Sequence, residues 1–242
     1  LYIRLPRPCI EGINDKRLAR LEKGMYGLSE APRLWWEAYS ATLKGLGFKQ
    51  SRLMPAVFIR HNKDGLLDAI VGLHVDDALI AADRDTIDAL RRALEEVYEY
   101  GSWEENTFRY TGRSFSRDGS DVIISMDDYA QQIAYIEVEA GRQLSAALSE
   151  YEISIYRGKV GQLSWLARML RPDLSFHTSL AQQTLPTATV EDLLNLNKVI
   201  RKARTASRTL RFKQLDPSCL MVLALSDASH ANMPGKGSQA GR

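Results

Sequence analysis

Short apolar runs and longer helical stripes alternate along the first half of the chain. Runs rich in Val, Ile and Leu at residues 56–59, 66–73 and 78–81 predict three strands of an antiparallel meander, with Asn62-Lys63-Asp64-Gly65 turning the chain between the first two. The period then lengthens: Ile87, Leu90, Leu94 and Val97 share one face of a helix over 85–98 whose charges fall mostly opposite, as a helix covering the sheet requires. Upstream, Trp35, Trp36, Tyr39, Leu43 and Leu46 mark another helix. Ser29 is its candidate cap, Pro32 fits its first turn, and Gly45 and Gly47 give the stop. Residues 1–8 read as a short strand halted by Pro6 and Pro8.

Farther on, residues 108–115 and 121–125 predict a hairpin joined by Arg117-Asp118-Gly119-Ser120, followed by a helix from Asp127 through Tyr135. Beyond the weak linker Glu139-Ala140-Gly141-Arg142 the period is helical at 151–169, 175–183 and 190–207, with little strand signal until 220–226. The expected class is α+β with antiparallel pairing, becoming mainly helical past a boundary near residue 140.

Composition narrows this little. Hydrophobic residues at 45% and charged residues at 26% exclude a disordered or fibrous chain. A net charge of +2 is too small to imply nucleic acid by itself, so a basic footprint must be local. Lys198, Arg201, Lys202, Arg204, Arg208, Arg211 and Lys213 form such a cluster, while Leu193, Leu196, Val199, Ile200 and Ala203 supply an apolar face; a solvated helix explains the pattern equally well. Cys9 and Cys219 stand far apart without ligand spacing, which fits a reducing interior and neither a disulfide framework nor a zinc site. No apolar run approaches the roughly 20 residues of a membrane span, and no membrane partner is expected. The start at Leu1 and the Gly-rich polar tail 234–242 suggest an excerpt of something longer.

The chemistry concentrates at His74-Val75-Asp76-Asp77, where two adjacent carboxylates sit between apolar runs. Burying both would call for a divalent cation, although Asp-Asp also serves in ordinary turns. A second segment, Tyr26-Gly27-Leu28-Ser29-Glu30-Ala31-Pro32-Arg33-Leu34-Trp35, opens the aromatic helix. Gly27 would let a ligand approach the backbone, and Arg33 near a helix N-terminus would attract phosphate; a turn before a core helix is the plainer alternative.

Together these segments resemble the reverse transcriptase of copia-type long-terminal-repeat retrotransposons. The family reads approximately Leu-Tyr-Gly-Leu-x-x-Ala-Pro-Arg-x-Trp at the helix start, matched here except for Met25, and Tyr-Val-Asp-Asp at the hairpin, where His74 replaces the aromatic residue. Residues 1–6, Phe108-Arg109-Tyr110-Thr111-Gly112-Arg113, Tyr156 to Leu166 and Arg171-Pro172-Asp173-Leu174-Ser175-Phe176 resemble further family segments. Ser226-Asp227-Ala228-Ser229-His230-Ala231 is similar to the start of its ribonuclease H domain.

The resemblance implies an incomplete α+β palm and fingers over 1–115, a mainly helical thumb and connection region over 116–214, and a truncated ribonuclease H start over 215–242 with Asp227 as remnant ligand. It implies RNA-directed DNA synthesis by two-magnesium nucleotidyl transfer, with Mn2+ as an alternative ion. Asp76 and Asp77 would be the catalytic, metal-binding carboxylates, and Tyr26, Gly27, Pro32, Arg33 and His74 would line the nucleotide and template site. The implied partners are an RNA template, a DNA primer, deoxynucleoside triphosphates and the rest of a Pol polyprotein, and the implied location is intracellular, in a cytoplasmic particle or the nucleus. In the family a facing acid precedes the segment matching residues 1–8; Asp68 and Asp83 do not match it, so the excerpt alone is expected to be inactive. The rivals are a degenerate transposon remnant that binds nucleic acid weakly and a metal-dependent phosphodiesterase.

Overall fold

Alternation along the strands decides which side of the first sheet is buried. The computed structural model describes residues 2–4, 18–20, 27–215, 221, 223 and 224, and it divides into two compact units, Leu1–Glu105 and Asn106–Arg242. In the first, β1 (Tyr2–Arg4) pairs antiparallel with β2 (Leu18–Arg20). Helix α1 (Ala31–Gly45) follows, then β3 (Lys49–Gln50), β4 (Val57–His61), β5 (Leu67–His74) and β6 (Asp77–Ala82), a four-stranded antiparallel meander in sequence order. Helix α2 (Arg84–Glu95) completes the unit. Ala69 and Val71 point inward beside Phe58, against Tyr39 and Leu43 of α1 and Leu90 and Leu94 of α2, while Ala78, Ile80 and Ala82 of β6 pack around them. Each such large side chain, once buried, contributes roughly 1.5–3 kcal/mol.

Two acids in this unit have structural work. Asp83 caps α2 by accepting from the Thr86 backbone N–H at 2.9 Å, which holds its carboxyl below the usual range. Asp68 accepts from Arg60 Nε at 2.6 Å and from the Thr86 hydroxyl at 3.1 Å.

The second unit contains β7 (Thr107–Tyr110), β8 (Arg113–Asp118), β9 (Asp121–Ser125), α3 (Asp127–Gln132), α4 (Glu150–Met169), α5 (Ser175–Thr184), α6 (Val190–Thr205) and β10 (Leu210–Phe212). Its sheet runs β10-β9-β8-β7, antiparallel throughout. Leu163 and Leu166 of α4, Leu193, Leu196 and Ile200 of α6, and Met126, Ala130 and Ile133 share one core.

Several expectations change here. The run 108–115 is two strands, because Thr111 and Gly112 take φ of 50° and 75° and reverse the chain. Helix α3 ends at Gln132: Ile133 and Ile136 are buried, and Asn197 grips the Ile136 backbone N–H at 2.9 Å and its C=O at 2.8 Å. Ser29 does not cap α1, whose N-cap is Glu30 without a side-chain bond. The compact units part between Glu105 and Asn106 instead of near residue 140, since the second sheet and α3 share the core of the later helices. Strand β10 was not expected. The predicted strand at 220–226 falls mainly outside the described residues. No helix among them is long and apolar enough to cross a membrane.

Ser149 and Glu152 form a capping box on α4, and Arg142 pairs with Glu152. Those bonds, Arg142 first and then Ser149, pull the Glu152 carboxyl down to about 2. A depressed carboxylate contributes stability that is complete above its ordinary 4.5 and lost as pH falls toward about 2. Carboxyl-detected NMR should find Glu152 still ionised at pH 3, and Ser149→Ala should cost about 1 kcal/mol at neutral pH.

Candidate functional site

The carboxylates occupy the tip of the β5–β6 hairpin. His74 pairs in register with Asp77, leaving Val75 and Asp76 as a two-residue turn. Because Leu73 and Ala78 belong to the inward face, the period of two turns His74 and Asp77 toward the opposite face. All four tip residues are exposed, so the acids are not desolvated as their apolar flanks suggested. Val75 has φ of 56°, a left-handed conformation that a β-branched residue adopts only at a cost of roughly 1–3 kcal/mol.

The second segment reaches the same place. Trp35 of α1 donates its indole N–H to the Val75 carbonyl at 2.8 Å across 40 positions of sequence. The ring is set by aromatic neighbours, with centroids 5.4 Å from Tyr39 and 5.3 Å from Tyr98. Tyr39 shares a 2.9 Å hydroxyl bond with Tyr100, and burial is the main cause raising both phenols above their ordinary value. Gly27, before α1, has φ of 91°, which favours glycine, and a methyl group there would meet nothing within 4 Å. Pro32 lies in the first turn of α1. Arg33 is exposed and pairs with Glu37 at 3.1 Å, so part of its charge is already answered. Tyr26 and Asp227 lie outside the described residues.

Asp76 and Asp77 are hard oxygen donors of the kind magnesium takes in small number, with water and substrate phosphate completing its shell. Among the described residues no group of three or more His, Cys, Asp or Glu gathers for a metal. The pair therefore fits as part of a donor set.

In the second unit the basic run separates. Lys202 and Arg208 approach Asp173 at 3.9 and 3.6 Å, Arg211 pairs with Asp118 at 2.7 Å and Asp121 at 2.9 Å, and Arg204 stacks over Tyr135 at 4.8 Å. Much of the charge is thus spent internally. A different surface was missed from sequence: Arg157, Gly161, Trp165 and Arg168 follow one exposed face of α4, with Gly158 beside them. Trp165 is 44% exposed, and both glycines face open space. An exposed Trp in helical register with glycines that cost a helix about 0.5–1 kcal/mol each was the available signal.

The family model described as Reverse transcriptase (RNA-dependent DNA polymerase) matches residues 1–139, more than half of the chain. The chain belongs to the reverse transcriptase family. Its relatives include a putative transposon Ty5-1 protein of Saccharomyces cerevisiae, 27% identical over 95% of this chain and 78% of that protein. The retrovirus-related Pol polyproteins from transposons RE1 and RE2 of Arabidopsis thaliana are 26% and 25% identical over 96% of this chain. The chain spans 16% of each of these polyproteins. No solved structure matches it. The matched region contains both the α1 segment and the Asp76-Asp77 hairpin of this reverse transcriptase-family chain.

Proposed function

We propose that the chain is the polymerase segment of a copia-type retrotransposon Pol polyprotein, acting in RNA-directed DNA synthesis. The supporting observation is the Trp35–Val75 bond, which joins the two motif segments beside exposed carboxylates. Residues 1–115 would serve as partial fingers and palm, 116–214 as thumb and connection, and 215–242 as the start of a ribonuclease H domain. Asp76 is the principal metal carboxylate and Asp77 the supporting one. Bound magnesium would activate the primer hydroxyl and neutralise the departing pyrophosphate. The chain's own residues present the acids at an exposed hairpin tip, while Gly27, Pro32 and Arg33 shape the nucleotide and template approach with Tyr26, and His74 lines the primer side.

The proposed partners are an RNA template, a DNA primer, deoxynucleoside triphosphates and the remaining Pol segments, inside the cell in a cytoplasmic particle or the nucleus. Among the described residues no third acid joins Asp76 and Asp77 as a metal group, so the 242-residue chain alone is expected to bind duplex and to be inactive in extension. A degenerate remnant would bind no better than any basic protein.

The α4 face suits a duplex: the glycines allow close approach, Trp165 offers an exposed ring, and Arg157 and Arg168 answer phosphate. Fluorescence anisotropy with an RNA–DNA primer–template should give affinity that falls as salt rises, with little dependence on base sequence. Trp165→Ala should weaken binding about tenfold, as expected from losing roughly 50 Å² of apolar contact against the sugar–phosphate backbone. Salt-independent binding, or no effect of Trp165→Ala, would count against this interface.

A further inference from the structure

We propose that Trp35 is a positioning residue for the carboxylate turn, holding Val75 in its left-handed conformation through the indole N–H. The functional meaning rests on the reading of Asp76 and Asp77 as metal carboxylates, but the geometric claim stands apart from it. Val75 is exposed and β-branched, with φ of 56°. A two-residue turn in this position commonly uses Gly, Asn or Asp where φ is positive. Valine gives the turn no such allowance, so the strained conformation must be imposed from outside the hairpin.

The Val75 carbonyl supplies the handle. It accepts from Trp35 Nε1 at 2.8 Å, and the donor cannot drift because its ring lies against Tyr39 and Tyr98. Those rings are fixed in turn. The Tyr98 hydroxyl bonds Thr42 Oγ1 at 2.8 Å, the Tyr39 hydroxyl bonds that of Tyr100, and Tyr100 packs on Trp103 at 4.9 Å. Tyr39 is 2% exposed. The first turns of α1 and the segment after α2 are thereby bound to the one carbonyl that immediately precedes Asp76. Rotation of the Val75–Asp76 peptide would break the indole bond and free the turn that carries Asp76. A tryptophan here thus does more than fill the core, since filling needs no N–H.

The test separates the N–H from the ring. In the 242-residue chain, Trp35 is replaced by β-(benzothiophen-3-yl)alanine, which keeps the bicyclic shape and lacks the donor, and separately by Phe. Backbone amide resonances of residues 75–77 are followed by NMR, and Mn2+ is titrated as a paramagnetic probe. Both variants should shift the 75–77 resonances while the Tyr39 and Tyr98 ring signals stay in place in the benzothiophene variant. The Mn2+ concentration that half-broadens Asp76 and Asp77 should rise about fivefold, the factor one neutral hydrogen bond supplies. Val75→Gly, for which positive φ carries no steric penalty, should remove most of the effect of Trp35→Phe. Unchanged 75–77 resonances in the benzothiophene variant, or an equal effect of Trp35→Phe in the Val75→Gly background, would overturn the positioning role. If the resonances shift as expected while Mn2+ broadens neither acid in the parent chain, the positioning role holds and the metal reading fails.

Discussion

Replacing Arg171 with Ala should lower the stability of the second unit by about 3 kcal/mol, through the lost packing and hydrogen bonds of a fully buried side chain whose partner Asp173 is half-buried. Arg171 is 1% exposed. Its guanidinium bonds both Asp173 carboxylate oxygens, at 2.8 and 3.0 Å, and donates to the Ala203 carbonyl in the last turn of α6 at 3.1 Å. One side chain therefore ties the end of α4 to α6, and truncation leaves a cavity and an orphaned carbonyl. Asp173→Asn should cost a similar amount, because the guanidinium would stay buried without its counter-charge. Lysine should not substitute, since it lacks the planar fork.

Acid provides a second check on this pair. The Arg171 guanidinium is the main cause holding the Asp173 carboxyl below its ordinary value, with Lys202 and Arg208 adding to it. The folded carboxyl titrates lower than the unfolded one. Its contribution is complete above pH 3.8 and disappears as pH falls through the depressed folded value. Urea unfolding of wild type and both variants at neutral pH measures the effect; a loss below about 1 kcal/mol, the range of exposed pairs, would contradict the buried-pair account.

Local patterns made the meander, α1, α2 and the three long helices of the second unit legible, because each carries its own period and its own stops. Partners from afar decided the remainder. Thr111-Gly112 lacks the Asn-Gly signal of a tight hairpin, so one strand was read where two pair. Strand β10 is three exposed residues within a basic run, held by pairing with β9 and by Arg211 bridging Asp118 and Asp121. Arg171 stands in the sequence only as part of a family-like segment, and the fold reveals the pocket that buries it. At the candidate site the sequence named both segments, yet nothing local could indicate that Trp35 meets Val75 or that the acids stand exposed.

The largest functional effect should come from Asp76. Asn keeps the shape of the side chain and one oxygen but removes the charge that would hold a metal at the hairpin tip. Electrostatic preorganisation is commonly the leading catalytic contribution, and its loss here should slow nucleotide addition at least about a thousandfold, equivalent to roughly 4 kcal/mol. Folding should be unaffected, because Asp76 is exposed at the hairpin tip. Primer–template affinity should also persist if the α4 face carries most of it. The direct measurement is single-turnover extension of a DNA primer on an RNA template by a Pol protein containing residues 1–242, wild type beside Asp76→Asn, in magnesium. The account predicts template-directed extension by the wild type and a loss of about a thousandfold in the variant at equal duplex binding; equal extension rates would contradict it.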